Sequence, residues 1–267
     1  MAATPPRASA PLRGSRPAPG SGDSAPGPLI WNLPEPPGRP ATSLSRAAIL
    51  SVALAVADAE GAAALTMRRV AADLGSSTPM SLYRYVGSKD GLVDLMLDAV
   101  YGEVGLPAQP SGDWRADLEP LARRTWAVIQ RHLWFGELVH TRPLFGPSAL
   151  RYFDFRFAAL ESQGLDADAM TRITVAIDSH LIGSALQLAE ETRMRRRTGL
   201  VTDEQLKAAA QPVLEPILDS GSYPAFARWA RSHTPAGFTG NFDYTLGCLL
   251  DGISEHLARP RRPDPGA

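Results

Sequence analysis

Apolar residues recur along the chain at intervals of three and four positions, which is the spacing of one face of an α-helix. Between residues 41 and 103 this pattern predicts four short helices. Gly61 and Gly75 are suited to end the first two, and Thr66 and Ser88 are suited to cap the second and fourth. Ser77 or Thr78 can cap the third, with Pro79 at its first position. The predicted inner faces are Ile49, Val52, Ala53 and Val56; Met67, Val70, Ala71 and Leu74; Leu82 and Val86; and Leu92, Leu95, Met96 and Ala99.

Beyond Gly105 the pattern stays helical, but the predicted helices are longer. Pro120 interrupts the first of them, so that helix either starts late or is kinked. No alternating strand pattern competes with this interpretation. The sequence therefore predicts an all-α fold, with a helix-turn-helix head over residues 41–103, a larger body over 104–260 and a flexible tail over 261–267. These helices are expected near 114–133, 148–163, 167–195, 202–218 and 242–258, with a short one near 224–231.

The first 40 residues differ in composition from the rest of the chain. They contain eleven of the 24 prolines, together with many Gly, Ser and Ala residues. Such a segment buries too little apolar surface to offset the entropy of ordering it, so we expect residues 1–40 to be disordered. They lack the unbroken apolar region of a signal peptide, and the longest apolar run, "AAILSVALAVADA", is too short for a membrane span. A soluble, cytoplasmic protein without a membrane partner is expected.

Charge and cysteine content limit which ligands, metals and disulfides can be expected. The formal net charge is −1, so the overall charge does not favour nucleic-acid binding. Residues 66–89 nevertheless carry four basic side chains and a single acidic one, Asp73. Any anion-binding surface must therefore be a focused patch. The single cysteine and the absence of zinc-ligand spacing predict neither a disulfide nor a metal, and no cofactor is expected.

Residues 66–86 have the layout of a helix-turn-helix, in which the first helix braces the second against the DNA major groove. Arg84 is placed to reach guanine acceptors, and Met80 is placed to contact a thymine methyl group. Lys89 begins the next helix, where a backbone phosphate is the expected partner. The alternative is a helical corner with half-buried tyrosines and solvated arginines.

The sequence around this motif resembles the DNA-binding head of the tetracycline-repressor (TetR) family. The resemblance is carried by "LSRAAILSVALAVADAEG", "LTMRRVAADLG" and "SLYRYVGSKDGLVDLM". The turn "SSTPM" is one residue longer than the family pattern, because Tyr83 lies eight residues after Gly75 instead of seven. This leaves open which residues of the turn read bases. The resemblance implies DNA contacts from Arg68, Thr78, Pro79, Ser81, Tyr83, Arg84, Tyr85 and Lys89.

The body resembles the drug-binding subgroup of the same family through "DWRADLEPLARRTW", "HTRP" and "DSHLIGSALQLAEE". This resemblance implies a ligand pocket with Arg142, Pro143 and His180, to which Trp126, Phe153 and Phe157 would add apolar walls. Leu121 and Thr125 depart from the polar and aromatic groups of the tetracycline repressor, so a magnesium-chelated tetracycline is not the expected ligand. The alternative, without a ligand role, is that His180 is a core residue whose hydrogen bonds are satisfied within the protein, and that the run "RYFDFRF" packs in the core.

These features together predict a homodimeric transcription regulator that binds double-stranded operator DNA. The family resemblance implies a repressor, released from DNA by an unidentified small-molecule inducer. It also places the dimer interface on residues 167–192 and 242–258. The interface is expected to use Ile173, Ile177, Leu181, Leu246, Leu250 and Ile253. Two alternatives are a helical enzyme, for which the sequence offers no catalytic motif, and an adaptor that kept the fold without DNA binding.

Overall fold

The computed structural model describes residues 29–36, 44–75, 78–232 and 241–258. Throughout these ranges the regular structure is helical, as the sequence predicted. A 3₁₀ turn over Ile30–Asn32 precedes the first α-helix, and a second one, Ala62–Ala64, follows it. The α-helices are α1 (Arg46–Glu60), α2 (Met67–Asp73), α3 (Met80–Val86), α4 (Lys89–Glu103), α5 (Trp114–Ile129), α6 (Phe135–Leu138), α7 (Pro147–Glu161), α8 (Ala167–Thr198), α9 (Asp203–Asp219), α10 (Pro224–Ser232) and α11 (Phe242–Ala258).

The ends of the short helices follow local sequence signals. The hydroxyl of Thr66 accepts a hydrogen bond from the Arg69 amide at the start of α2, and that of Ser88 accepts from the Gly91 amide at the start of α4. Gly61 ends α1 at φ 87°, a conformation that favours glycine. The predicted start of α3 was wrong by one residue. Pro79 is the N-cap itself, and its side chain makes no cap hydrogen bond.

Part of the expected N-terminal tail is built into the core. The sequence predicted disorder through residue 40, but Ile30 is only 1% exposed and belongs to the main hydrophobic cluster. Trp31 and Leu33 pack against the same cluster. Burying these apolar side chains offsets the entropy of ordering residues 29–36, which the high proline content had obscured. Residues 1–28, 37–43 and 259–267 lie outside the described residues, and so do the predictions made for them.

Helix α4 joins the predicted head to the predicted body. It packs on α1 and α3 on one side and on α5, α6 and α7 on the other. Leu92, Met96 and Leu97 are fully buried along it, and one continuous hydrophobic cluster runs from α1 to α11. The expected boundary at residue 103 therefore does not separate two cores. A displacement of α4 must therefore change its contacts with both the head helices and the body helices.

Prolines lie inside two of the body helices. Helix α5 begins at Trp114 with Asp113 as its N-cap and continues through Pro120, so of the two expected alternatives the late start is excluded. Helix α9 contains Pro212 and Pro216 and has no buried side chain. Within the described ranges, no helix combines the length and the apolar character that a membrane crossing requires.

Candidate DNA-binding surface and ligand cavity

Helix α3 presents a mixed polar and apolar face outside the head. Met80 is 72% exposed, and Arg84 is exposed one helical turn further on. Ser81 and Tyr83 are half-buried, with Tyr83 packed against the core cluster. Arg68 on α2 is also exposed, whereas Arg69 is held in ion pairs with Glu60 and Asp73. The outward-facing groups that remain are suited to phosphates and base edges.

Tyr85 does not belong to this outward face. It is 6% exposed and lies with Leu82 and Val86 on the inward side of α3. Positions three and four residues apart on a helix share one face, so Tyr85 lies with the core residues of α3, and its implied DNA contact stays a prediction. The sequence also missed Arg46, which holds this end of α3 in place. Its guanidinium donates to the carbonyl oxygens of Tyr85 (3.0 Å) and Leu33 (3.1 Å).

The turn before α3 is described only from Thr78 onward, because Ser76 and Ser77 lie outside the described residues. Thr78 is exposed and Pro79 is half-buried. The Ser81 hydroxyl donates to the Thr78 carbonyl oxygen at 2.7 Å, which fixes the first turn of the helix. Thr78 and Ser81 thus lie at the N-terminal end of α3, the end that contacts base edges in helix-turn-helix proteins.

Close packing around Gly87 and Gly91 sets the position of Lys89 relative to α3. Gly87, at φ 71°, lies so near the N-terminal segment that an added Cβ would be 2.8 Å from Leu33 Cδ1. A Cβ at Gly91 would be 2.2 Å from the carbonyl oxygen of Val86. Glycine is therefore needed at both positions of the α3–α4 corner. Lys89 is exposed at the N-terminus of α4, where peptide dipoles favour a bound phosphate.

The body contains a partly open cavity of about 80 Å³ between α4, α5, α7 and α8. Its walls are largely aromatic and aliphatic, with Thr125, His140 and Asp178 as polar groups. Phe153 is the only one of the predicted pocket residues among those that line it. The remaining lining residues are Tyr101, Ile129, Phe135, Val139, Leu144, Tyr152, Leu181 and Ile182.

The other predicted pocket residues lie elsewhere. Trp126 and His180 stack on Phe242, with ring centroids 4.6 and 4.9 Å from it, and so help to hold α11 against α5 and α8. Phe157 is 39% exposed and Pro143 is exposed, so neither forms a cavity wall. Phe157 faces away because it lies on the opposite side of α7 from the buried residues Tyr152 and Phe155.

Arg142 is engaged with α4 and does not face the cavity. Its Nε and Nη2 atoms donate to the two carboxylate oxygens of Asp94 at 2.7 and 3.0 Å, and Nη1 donates to Asp90 at 2.7 Å. The Asp94 side chain is 3% exposed, and its hydrogen bond raises the pKa of Arg142. A planar guanidinium held by both oxygens of a carboxylate is a rigid, charge-assisted contact. Arg142 thus connects the segment that follows α6 to the helix that leads into the head.

A polar network stands against one wall of the cavity. Arg156, 2% exposed, pairs with Asp178 at 2.9 Å and lies over the ring of Tyr152. The Thr125 hydroxyl donates to the Leu121 carbonyl oxygen, so the 3.1 Å contact between Thr125 and Tyr152 has the tyrosine as donor. Burial raises the pKa of Tyr152, which keeps its phenol protonated. The cavity therefore offers a carboxylate acceptor and neutral phenols.

Sequence reasoning missed Tyr101, Tyr152 and Asp178. The aromatic run "RYFDFRF" did signal a concentration of rings, but helical periodicity alone could not say which of them face a cavity. Asp178 lies two residues before His180, within the segment whose resemblance to the drug-binding subgroup had pointed to the histidine. Only the packing of α4, α5, α7 and α8 brings these groups together.

Comparisons with known proteins agree with this geometry. The family model described as "Bacterial regulatory proteins, tetR family" matches residues 49–96, and "Tetracyclin repressor-like, C-terminal domain" matches residues 106–257. The chain is 38% identical over 251 residues to the HTH-type transcriptional repressor DrrR1 of Streptomyces coeruleorubidus, covering 93% of this chain and 92% of that one. It is 32% identical over 206 residues to an HTH-type transcriptional regulator of Saccharopolyspora erythraea, covering 76% and 84% of the two chains.

Solved structures show the same architecture. Apo ActR from Streptomyces coelicolor superimposes with a TM-score of 0.63 at 25% identity, covering 81% of this chain and 99% of ActR. The complex of ActR with actinorhodin gives a TM-score of 0.65 at the same identity and coverage. Together, the helix-turn-helix head, the body and these relatives show that the chain belongs to the TetR family of helix-turn-helix transcriptional regulators.

Proposed function

We propose that this regulator is a dimeric repressor that a small molecule releases from operator DNA. The observation that carries the proposal is the ion-pair link from Arg142 to Asp94, because it connects a cavity wall to the helix behind the recognition surface. Two relatives support it. The 38% identical DrrR1 is named a repressor, and ActR was solved in complex with actinorhodin, a small molecule.

The exposed groups of the head divide into two roles. Arg68, Tyr83 and Lys89 are assigned to the phosphate backbone, where they would fix the orientation of the head on the duplex. Thr78, Ser81 and Arg84 are assigned to the recognition face, with Arg84 the candidate for guanine and Met80 for a thymine methyl group. Pro79, half-buried, shapes the turn and supplies apolar contact.

The link between cavity and head runs through one short segment. Val139, His140 and Leu144 line the cavity, and Arg142 lies between them in the sequence while contacting α4. A ligand that displaces this segment must therefore move Arg142 and change the position of α4. Ligand binding shifts DNA affinity only by its differential affinity for the two arrangements, typically about 1–3 kcal/mol.

The inducer is expected to be a partly apolar, ring-containing molecule with a hydrogen-bond donor for Asp178. Four aromatic side chains in the cavity wall favour flat rings, and the carboxylate of Asp178 is an acceptor. With Arg142 already paired, a ligand acceptor would have to use His140 or a tyrosine hydroxyl instead.

The dimer interface is assigned to α8 and α11, but not to the side chains named from the sequence. Those six residues are buried within one chain, where they hold α8 and α11 together. The outward stripes of the two helices include Val175, Leu186 and Tyr244, which are 54%, 41% and 74% exposed. Cys248 is exposed beside them. A Tyr244→Arg variant should sediment as a monomer and lose most operator affinity.

Mobility shift on the DNA upstream of the protein's own coding region tests the function. The protein should retard this fragment more strongly than random DNA, and Arg84→Ala should reduce that preference by about 1–3 kcal/mol, concentrated at one base pair. Arg197→Ala, an exposed arginine at the end of α8, is the matched control and should change nothing. Equal retardation of both fragments by the wild-type protein would contradict the proposal.

A further inference from the structure

The Tyr101 side chain separates two spaces in the body. On its inner side is the 80 Å³ cavity described above, here called the inner chamber. On its outer side is a groove of about 500 Å³ between the end of α4, residues 105–110 and α7, here called the outer groove. Tyr101 belongs to the lining of both spaces, so this residue lies between them.

Aromatic packing holds the Tyr101 ring in this position. Its centroid lies 5.0 Å from that of Tyr152, 5.5 Å from Phe135 and 5.7 Å from Phe153. Burial raises the pKa of Tyr101 well above the ordinary value, so the wall is a neutral phenol that can rotate without moving a charge.

The two spaces have unequal capacities. The inner chamber is several times smaller than the roughly 300–1,000 Å³ of pockets that hold drug-sized molecules, whereas the outer groove falls in that range. The inner chamber alone cannot admit a fused-ring molecule. The outer groove alone offers no contact with Asp178, which lies on the inner side.

We propose that Tyr101 is a displaceable partition, and that a ligand of two or more fused aromatic rings occupies the outer groove and the inner chamber together. The ligand enters from the outer groove, displaces the Tyr101 ring and places its hydroxyl donor against Asp178. This inference rests on the proposed function, since it names the ligand class and the entry side of the same cavity.

Because Tyr101 lies on α4, displacing its ring affects the contact between α4 and α7. Near the end of α4, Asp98 accepts hydrogen bonds from the amides of Ser148 and Ala149 at 2.8 and 2.9 Å, which ties α4 to the start of α7. A Cβ at Gly146 would be 2.1 Å from Asp98 Oδ1, so α4 and the chain entering α7 are already in close contact. A ligand that takes the place of the Tyr101 ring lies beside this tight contact, so we expect it to shift α4 relative to α7.

Two space-filling variants test the partition with 2-naphthol, a two-ring phenol, as the probe. Ala158→Trp fills the outer groove only, and Ile182→Trp fills the inner chamber only, since each residue lines one space. Binding is measured by the fluorescence of 2-naphthol, and thermal unfolding checks that each variant is folded. Both variants should weaken binding at least about tenfold. Tyr101→Phe should bind like the wild-type protein, and Tyr101→Ala, where it folds, should bind more tightly.

Unchanged binding in Ala158→Trp, with loss of binding in Ile182→Trp, would overturn the partition and leave the proposed function intact. Failure of the wild-type protein to bind 2-naphthol would also overturn the partition. A wild-type protein that binds 2-naphthol as expected but shows no preference for its upstream DNA would instead contradict the proposed function.

Discussion

At the scale of single residues, the two lysines of the chain provide a test position and its matched control. Lys89 is exposed at the N-terminus of α4 beside the recognition helix, and Lys207 is exposed on α9. Lys89→Ala should weaken binding to operator and random DNA alike by about 1 kcal/mol and flatten the salt dependence by about one unit, because a phosphate contact is lost.

Lys207→Ala should change neither quantity. Both are measured by fluorescence anisotropy over a range of salt concentrations. If Lys89→Ala instead altered base preference at constant general affinity, its assignment to a phosphate would be wrong.

Ile30 provides a second test at this scale. It is 1% exposed and lies near Gly91, whose added Cβ would be 3.4 Å from Ile30 Cβ. Ile30→Ala should lower the free energy of unfolding by about 2–5 kcal/mol, since it leaves a cavity in the head core. Asn32→Ala, two residues away and exposed, should have little effect in the same urea titrations. If Ile30→Ala and the wild-type protein had equal free energies of unfolding, residues 29–36 would belong to the disordered tail that the sequence predicted.

At the scale of elements, His132 fastens two head helices to the connection between α5 and α6. Its Nδ1 lies 2.7 Å from Asp58 on α1 and its Nε2 lies 3.2 Å from Glu103 on α4. The Trp134 indole also donates to Asp58, at 2.6 Å. Sequence reasoning assigned no role to His132, because the three elements meet only in the folded chain.

This contact predicts an acid-sensitive stability. Burial raises the pKa of Glu103, but hydrogen bonds from Arg131 and His132 outweigh it, so the pKa lies below the ordinary 4.5. The stabilisation from the Glu103 carboxylate is therefore complete above about pH 4.5 and lost as the pH falls through the lowered pKa. Glu103→Gln should lower the melting temperature near neutrality and converge with the wild type in acid. A difference that persisted unchanged in acid would show that the carboxylate charge is not responsible.

At the scale of the whole molecule, the Arg142–Asp94 pair ties the body to the head. Arg142→Ala should lower the free energy of unfolding by about 3 kcal/mol, because it leaves the buried Asp94 carboxylate without its partner. Adding Asp94→Ala should recover part of that loss, as expected for two coupled groups.

Arg231→Ala is the matched control, since its pair with Asp219 is exposed and worth at most about 1 kcal/mol. Operator affinity should fall with Arg142→Ala and not with Arg231→Ala. If the effects of Arg142→Ala and Asp94→Ala on the free energy of unfolding were additive, the two side chains would not be coupled, and the pair would not link the body to the head.

The sequence by itself determined the helices, most of their ends and the family. Apolar spacing at three and four residues reports which face of a helix is buried, and caps such as Thr66 and Ser88 act on their own backbone. It also placed Arg68, Arg84 and Lys89 outside, because local periodicity is enough to decide that. Periodicity did not place Tyr85 on the inward face of α3, because a tyrosine side chain is suited to a buried or an exposed position.

Only the tertiary structure decided what meets across the chain. Arg142 reaches Asp94 over 48 positions, and His132 reaches Asp58 over 74. The cavity exists because α4, α5, α7 and α8 pack around it, so its lining could not be read from any one segment. Ile30 is ordered for the same reason: its burial depends on α4, far along the sequence. Local patterns fix which groups each helix offers, and packing decides which of them become a site.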